Sequence, residues 1–478
     1  MAANTKLTPK LSAFETWSLA FGGVLGWGAF VMPGNLFLPT AGPVGAAIAF
    51  AIAAVVMSVI ALNFHYMMNR RPIAGGPFIY AQDSFGRTHG YICGWFLALA
   101  YLAIIPQNAT ALALVSQNLL GSILEVGPSY SLAGYDTYLT EIALLVVVLC
   151  LVMYLAVRST KTLAVALAVF ASCIVVGCAV ITICVATSPV AAQTSMEPLF
   201  NPEVSPLLGV VGVLVVAPWA FVGFDAVTQM GEDISFSPRK AGAIMVTSIV
   251  VGTLVYVALN FSAIAVLPPG YADWHAYISD LPNLSGLEAM PVFYAVSQTM
   301  GTAGVVALVV ATVGATLSGV VAFTFAISRL LYSMAREEAL PAWFGALHPK
   351  YGTPHQAILV VFLASLAMVL LGRVVLGWII DMSSIGATIA FLYTSLATFK
   401  NARSEGKAGW QLAGAFGAAV SVALGVLLLV PIESINSTLA MGSYVLLITW
   451  IVFGINFYTP TYASSAIDIP HMPNDFDE

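Results

Sequence analysis

Charge is scarce in this chain: only 8% of its 478 residues are Asp, Glu, Lys or Arg, against 60% hydrophobic, and the mean hydropathy is +0.94. Soluble globular domains carry roughly a quarter charged residues, so that class is excluded. With 16 basic and 22 acidic side chains the net charge is −6, which gives no footing for nucleic acid as a partner. Cysteine is sparse too. Cys93, Cys150, Cys173, Cys178 and Cys184 stand in apolar surroundings and form no CxxC, so neither a disulfide framework nor a zinc site is indicated. No GxxxxGK followed by Ser or Thr occurs, which excludes an ATP-driven pump, and HExxH and GxSxG are missing as well. The six histidines are scattered toward span ends and loops, leaving no catalytic grouping, no metal site and no expected cofactor.

What the chain has in abundance is long apolar runs. A helix needs roughly 20 apolar residues to cross the hydrocarbon core, and about twelve spans qualify. They lie near 15–38, 44–68, 90–118, 138–157, 162–187, 206–230, 241–267, 300–333, 356–372, 375–399, 409–431 and 438–460. The expected fold class is an all-α integral membrane protein with about 12 transmembrane helices. Counted loop by loop, Lys6, Lys10, Arg70, Arg71, Arg87, Arg158, Lys161, Arg239, Lys240, Arg329, Arg336, Lys350, Lys400, Arg403 and Lys407 share one side, and Arg373 alone falls on the other. That bias predicts a multi-pass protein of the cytoplasmic membrane with both termini cytoplasmic. The first span is too long and too glycine-broken for a cleavable signal peptide. The outer loop from Pro268 to Phe293 suits either a short helix over the outer mouth or a plain connector. Ala335 to Tyr351 suits an interfacial segment anchored by Trp343 and Phe344.

Two spans are interrupted. Gly22–Phe30 (GGVLGWGAF) breaks the first, where lipid offers backbone groups no water, and Pro218–Asp225 (PWAFVGFD) breaks the sixth. Matched interruptions in two halves point to a substrate site built from discontinuous helices. Overlaying the first five spans on the second five, inverted, makes the breaks correspond. The expected architecture is a five-plus-five inverted repeat with broken helices 1 and 6: one repeat at about 12–187, the other at about 206–399, accessory helices 11 and 12 at about 409–460, and a cytoplasmic tail over 461–478.

At the first break, Gly26, Trp27, Gly28, Ala29 and Phe30 offer backbone N–H groups at the start of a second half-helix, whose positive dipole end attracts a carboxylate. The same glycines also suit tight helix packing. In the sixth span Pro218 cannot donate a hydrogen bond and frees upstream carbonyls, and free carbonyls can take an ammonium or a sodium ion. Trp219 and Phe221 suit either covering a cation or packing a core. Asp225 is an ionisable group at membrane depth and so marks function: it carries a proton, or it accepts backbone N–H groups and holds the broken helix open. Further polar residues at depth are Tyr101, Gln107 and Asn108; Thr312, Thr316 and Ser318; and Ser383 and Ser384. Tyr101, Thr312 and Ser383 are assigned to the substrate lining, and Asp225, Thr316 and Ser318 to coupling or gating. Thr316 and Ser318 suit oxygen ligation of sodium, or bonding to their own helix.

These stretches resemble the amino acid, polyamine and organocation (APC) transporter superfamily. The family's first-helix motif is similar to Gly26-Trp27-Gly28-Ala29-Phe30 with Pro33-Gly34 and Ala41-Gly42-Pro43. Pro72-Ile73-Ala74-Gly75-Gly76 with Tyr80, Phe221-Val222-Gly223-Phe224-Asp225 with Glu232-Asp233, and Ser328-Arg329 through Leu340-Pro341 to Gly352-Thr353-Pro354 extend the resemblance across roughly residues 12 to 400. It implies alternating access around a midplane site, with the substrate carboxylate on the first-helix break at Gly26 to Phe30, its ammonium on sixth-helix carbonyls at Ala217 to Phe221, Ala220 among them, and Trp219 or Phe221 closing over it. Three departures stand out. Trp27 replaces a small residue, Asp225 stands where Glu is common, and residues 162–187 contain no Lys, which disfavours the proton-coupled relatives that carry one there.

The expected function is secondary active transport of an amino acid or related amine, with H+ or Na+ as coupling ion and a neutral or modestly polar amino acid as first choice. A polyamine or organic-amine permease is the alternative, since a polyamine calls for more acid than Asp225 alone. A membrane-embedded sensor or enzyme and a channel are disfavoured. Symport or antiport and the oligomeric state stay open.

Overall fold

Ser12 opens the membrane region: its Oγ accepts the Glu15 N–H at 3.4 Å, and a Glu15 carboxylate oxygen accepts the Ser12 N–H at 2.9 Å. This reciprocal cap satisfies donors that a helix start leaves orphaned. In the computed structural model, which describes residues 11–120, 126–132, 135–191, 194–372, 375–430 and 439–458, α1 then runs Ala13–Val24 and unwinds over Leu25–Trp27. The path resumes as α2 (Gly28–Met32), passes a π turn at Pro33–Phe37 and continues as α3 (Leu38–Arg70). The expected first and second spans are therefore joined by a bend rather than a loop. Gly42 makes that bend at φ +73°, where a Cβ would also stand 2.7 Å from the Asn201 nitrogen, so glycine is required twice over.

The chain continues through α4 (Pro77–Phe85), α5 (Arg87–Leu120), α6 (Leu139–Arg158) and α7 (Thr160–Ala186). Between α6 and α7 only Ser159 is extended, and its Oγ caps α7 by accepting the Thr162 N–H at 3.1 Å. The sixth span is in three pieces, α8 (Pro206–Val215), α9 (Ala217–Phe221) and a single turn, α10 (Ala226–Gln229). After α11 (Ala241–Ser262), the outer segment folds as a short helix, α12 (Trp274–Ser279), pinned by Trp274 Nε1–H donating to the Pro198 carbonyl at 2.7 Å. α13 (Pro291–Arg336) starts well before the expected eighth span and bends at Gly301 (φ +62°). α14 (His355–Val369), α15 (Val375–Ser404), α16 (Ala408–Leu429) and α17 (Met441–Phe457) complete the order. Lys6, Lys10, Arg373 and the tail 461–478 lie outside the described residues.

One small element among the described residues is not helical. Strands β1 (Ser129–Leu132) and β2 (Tyr135–Tyr138) form a small antiparallel hairpin, with Ser129 opposite Tyr138. Its Tyr, Ser and Thr residues suit a pleated edge, but four residues per strand are too few to show a period of two.

Among the described residues, eight helical stretches are long and apolar enough to cross a membrane, the run Ala13–Arg70 counting as one, and α8, α14 and α17 are shorter apolar helices. With apolar side chains such as Val147, Leu151, Leu363, Leu412 and Ile455 exposed on the outside, this is a multi-pass, predominantly helical membrane protein. α5, α13 and α15 on one side, and α3 and α11 on the other, enclose the two interrupted paths. Ion pairs gather the basic connections on a single face: Lys161 with Glu15 (2.7 Å), Arg71 with Asp83 (2.9 Å), Arg336 with Glu232 (2.8 Å), and Arg70 and Lys407 with Glu405. On that face Leu11 pairs with the exit of the sixth span, its N–H donating to the Asp233 carbonyl and its carbonyl accepting from Ser235 N–H, both at 2.9 Å.

Candidate substrate site at two broken helices

The interrupted helices cross at Gly23 and Gly223. A Cβ built on Gly23 would stand 2.7 Å from Gly223 Cα, and one on Gly223, whose φ is +118°, would stand 2.5 Å from the Gly23 carbonyl carbon. Backbone touches backbone there, which glycine alone allows. Gly22 likewise abuts Ser318, whose Cβ is 2.7 Å from where a Gly22 Cβ would lie. Gly22 and Gly23 are thus helical packing residues, and the unwound part is narrower than the glycine-rich stretch suggests.

At the first break, Ala29 N–H donates to the Gly26 carbonyl at 3.4 Å and Phe30 N–H to the Trp27 carbonyl at 3.0 Å. The N–H groups of Gly26 and Trp27 donate to no carbonyl among the described residues. They are the open donors at the start of the second half-helix. The Trp27 side chain is buried in the apolar core, 2% exposed.

At the second break Pro218 sits in the first turn of α9, where its missing N–H costs little. The carbonyls of Trp219, Phe221 and Val222 accept from no backbone N–H among the described residues. Asp225 accounts for the first of these. Its carboxylate accepts the Gly223 N–H at 2.8 Å, the donor that a continuous helix would aim at Trp219, and also accepts the Tyr101 hydroxyl at 2.5 Å. Asp225 is fully buried and held by these two hydrogen bonds, an arrangement compatible with the scaffold reading of this residue. Tyr101 accordingly reaches Asp225 with its polar end.

The two aromatics of the sixth span part company. Trp219 lies against Gly28 and donates its Nε1–H to Gln107 Oε1 at 3.0 Å. Phe221 joins a cluster with Phe50 and Tyr256 on the α3 and α11 side, at ring separations of 6.4 and 6.3 Å, and so packs the core. Ala217 and Ala220 are buried beside them. Gln107 Nε2 and Asn108 Oδ1 are buried without partners among the described residues, and Asn108 Oδ1 lies 3.1 Å from a Cβ built on Gly26. These two side chains bring open polar groups to the first break.

Tyr256 is the residue that sequence reasoning missed. Its hydroxyl donates toward the Val24 carbonyl (3.2 Å) and the Ala220 carbonyl (3.4 Å), so one side chain of α11 serves both breaks. A lone tyrosine in an apolar span carries no local signal of that role. On α13, Thr312 and Thr316 donate to the Leu308 and Thr312 carbonyls of their own helix at 2.8 Å, while Ser318 Oγ has no partner among the described residues. Ser383 and Ser384 on α15 are also buried with open hydroxyls. Grooves of about 460 and 240 Å³ lie away from the breaks, and at the breaks Trp219 is only 7% exposed.

Two half-helices thus meet at glycine, with open N–H groups on one and open carbonyls on the other, in a multi-pass helical membrane protein. The chain belongs to the amino acid permease family, whose model matches residues 11–455. It is similar to a methylthioribose transporter of Bacillus subtilis (24% identical over 404 residues, covering 82% of this chain and 80% of the relative). A branched-chain amino acid permease of the same organism is 23% identical, with the same coverage. A low-affinity putrescine importer of Escherichia coli is 23% identical over 359 residues, covering 75% of this chain and 73% of the relative. The protein is a transporter and not an enzyme; its partners are a small-molecule substrate and the lipid bilayer.

Proposed function

We propose that the protein is a secondary active transporter of an amino acid or a related amine, working by alternating access in the cytoplasmic membrane. The observation that carries this reading is the pairing of open groups: N–H donors at Gly26 and Trp27, carbonyl acceptors at Trp219, Phe221 and Val222, on helices that cross at Gly23 and Gly223. A zwitterion supplies the complement, its carboxylate to the donors and its ammonium to the carbonyls. Gly28, Ala29 and Phe30 shape the wall. Trp219 closes over the site, and Tyr101, Gln107, Asn108, Thr312 and Ser383 contribute polar lining.

Counting Ala13–Arg70 as two crossings, with the seven other long helices and three shorter ones among the described residues, supports twelve spans, and the two matched breaks support a five-plus-five inverted repeat with two accessory helices. The clustering of basic connections on one face supports cytoplasmic termini. Asp225 keeps the sixth helix unwound, and Thr316 and Ser318 belong to the coupling region, serving H+ or Na+. An amino acid is favoured over a polyamine because the single carboxylate at the breaks is already committed to Gly223 and Tyr101.

Uptake of a labelled amino-acid and amine panel into proteoliposomes, under imposed proton or sodium gradients and with or without internal substrate, tests the proposal. Gradient-driven accumulation of an amino acid is expected. Binding without flux, or flux of diamines only, would reject it.

A further inference from the structure

A groove of about 460 Å³ lies away from the broken helices, between the end of α6 and the start of α14. Its walls are apolar, with Met153, Val157, Ile358, Leu359 and Phe362 among them, and none of its lining residues is acidic. One end is basic and aromatic. Arg158 closes α6 with its guanidinium 4.7 Å over the Tyr154 ring, and His355 opens α14 with its ring 5.4 Å from that of His348. His355 Nδ1 is buried and without a hydrogen-bond partner among the described residues.

The other end opens onto the apolar outer surface. Tyr154 and Leu359 are half exposed, in line with exposed Val147 and Leu151 on α6 and Leu363 on α14. Such a surface faces hydrocarbon, so an apolar trough continuous with it admits an acyl chain. Its polar end belongs to the basic face, and the N-terminal turn of α14 adds a positive dipole end to the Arg158 cation. A soluble anion would leave the trough unused, and an uncharged lipid would leave Arg158 unused.

We infer that this groove binds one anionic phospholipid, its phosphate at Arg158 and His355 and one acyl chain along Val157, Ile358 and Leu359. The lipid fastens α6 to α14 beside the existing tie, in which Thr353 Oγ1 donates to the Val157 carbonyl at 2.6 Å. The site is separate from the transport path and does not depend on which substrate is carried.

The test is lipid retention by the purified full-length protein, read by native mass spectrometry after exchange into phosphatidylglycerol or phosphatidylcholine, with inorganic phosphate and glycerol phosphate as competitors. Phosphatidylglycerol is expected to be retained about fivefold better, the factor one basic residue contributes at an anionic membrane surface. Arg158→Gln removes that preference, and Leu359→Trp, which fills the trough, removes retention while the protein still elutes as a single symmetric peak in gel filtration. Arg403→Gln, an exposed basic residue elsewhere, leaves both intact. Undiminished preference in Arg158→Gln, equal loss in Arg403→Gln, or displacement by inorganic phosphate alone overturns the inference.

Discussion

Trp219 and Gly28 are fitted to each other: a Cβ at Gly28 would stand 2.7 Å from Cη2 of the indole, so the aromatic cover of one broken helix rests on the other. Gly28→Ala therefore displaces Trp219 or strains the break. Uptake in proteoliposomes is expected to fall roughly tenfold, from the 1–3 kcal/mol that overpacking costs, with the elution profile unchanged. Normal uptake would show that the indole does not need this seat.

The two roles of Asp225 separate by substitution. Asn keeps one oxygen to accept the Gly223 N–H and turns an amide N–H toward the Tyr101 oxygen, which can accept it, in place of the two carboxylate oxygens that accept from Gly223 and Tyr101; Ala keeps neither contact. As a scaffold, Asp225→Asn retains most flux with an unchanged pH profile, whereas Asp225→Ala loses about tenfold or more, because a buried donor is left unmade. A shifted pH profile in Asp225→Asn would assign the residue a proton instead.

Arg329 and Asp233 form a fully buried ion pair at 3.2 Å, joining α13 to the exit of the sixth span, with Thr160 and Ser328 as further partners. Removing either charge alone leaves the other buried and uncompensated, at a cost of about 3–5 kcal/mol. Arg329→Gln should lower the unfolding temperature in detergent clearly, and Arg329→Gln with Asp233→Asn should recover part of the loss. Equal loss in the double variant would show that the pair acts only through packing.

Asp83, in the connection that holds α4, is pushed up to about 6 by burial and by nearby Glu337, with Arg71 pulling the other way. A carboxyl raised in the folded state binds protons more tightly there than when unfolded, so stability falls as pH rises from about 4 to about 6 and is flat above. Thermal unfolding across that window should show the slope, and Asp83→Asn should flatten it. An unaltered slope would place the titration elsewhere.

Both breaks were legible because their signals are local: GGVLGWGAF and PWAFVGFD put glycine and proline where a membrane helix should be unbroken. Their inner division was not legible. Glycine in a sequence does not say whether it relaxes the backbone or lets another backbone approach, so Gly22 and Gly23, which pack, looked the same as Gly26. The open carbonyl of Trp219 was not legible either, since it depends on Asp225 taking the Gly223 N–H. Tyr101 with Asp225, Gln107 with Trp219, and Tyr256 with Val24 join residues more than a hundred positions apart, and no periodicity encodes such pairs. The separation of Trp219 from Phe221 likewise follows from which neighbouring helix each ring meets.

The open donors at Gly26 and Trp27 belong to the main chain. No side-chain replacement deletes a peptide N–H except a change to proline, so the anchoring half of the site is insulated from most point mutations. Side-chain replacement reaches the proposed site instead through Gln107, Asn108 and Trp219. In the proposed site, such replacements retune which molecule is carried and leave the main-chain donors in place.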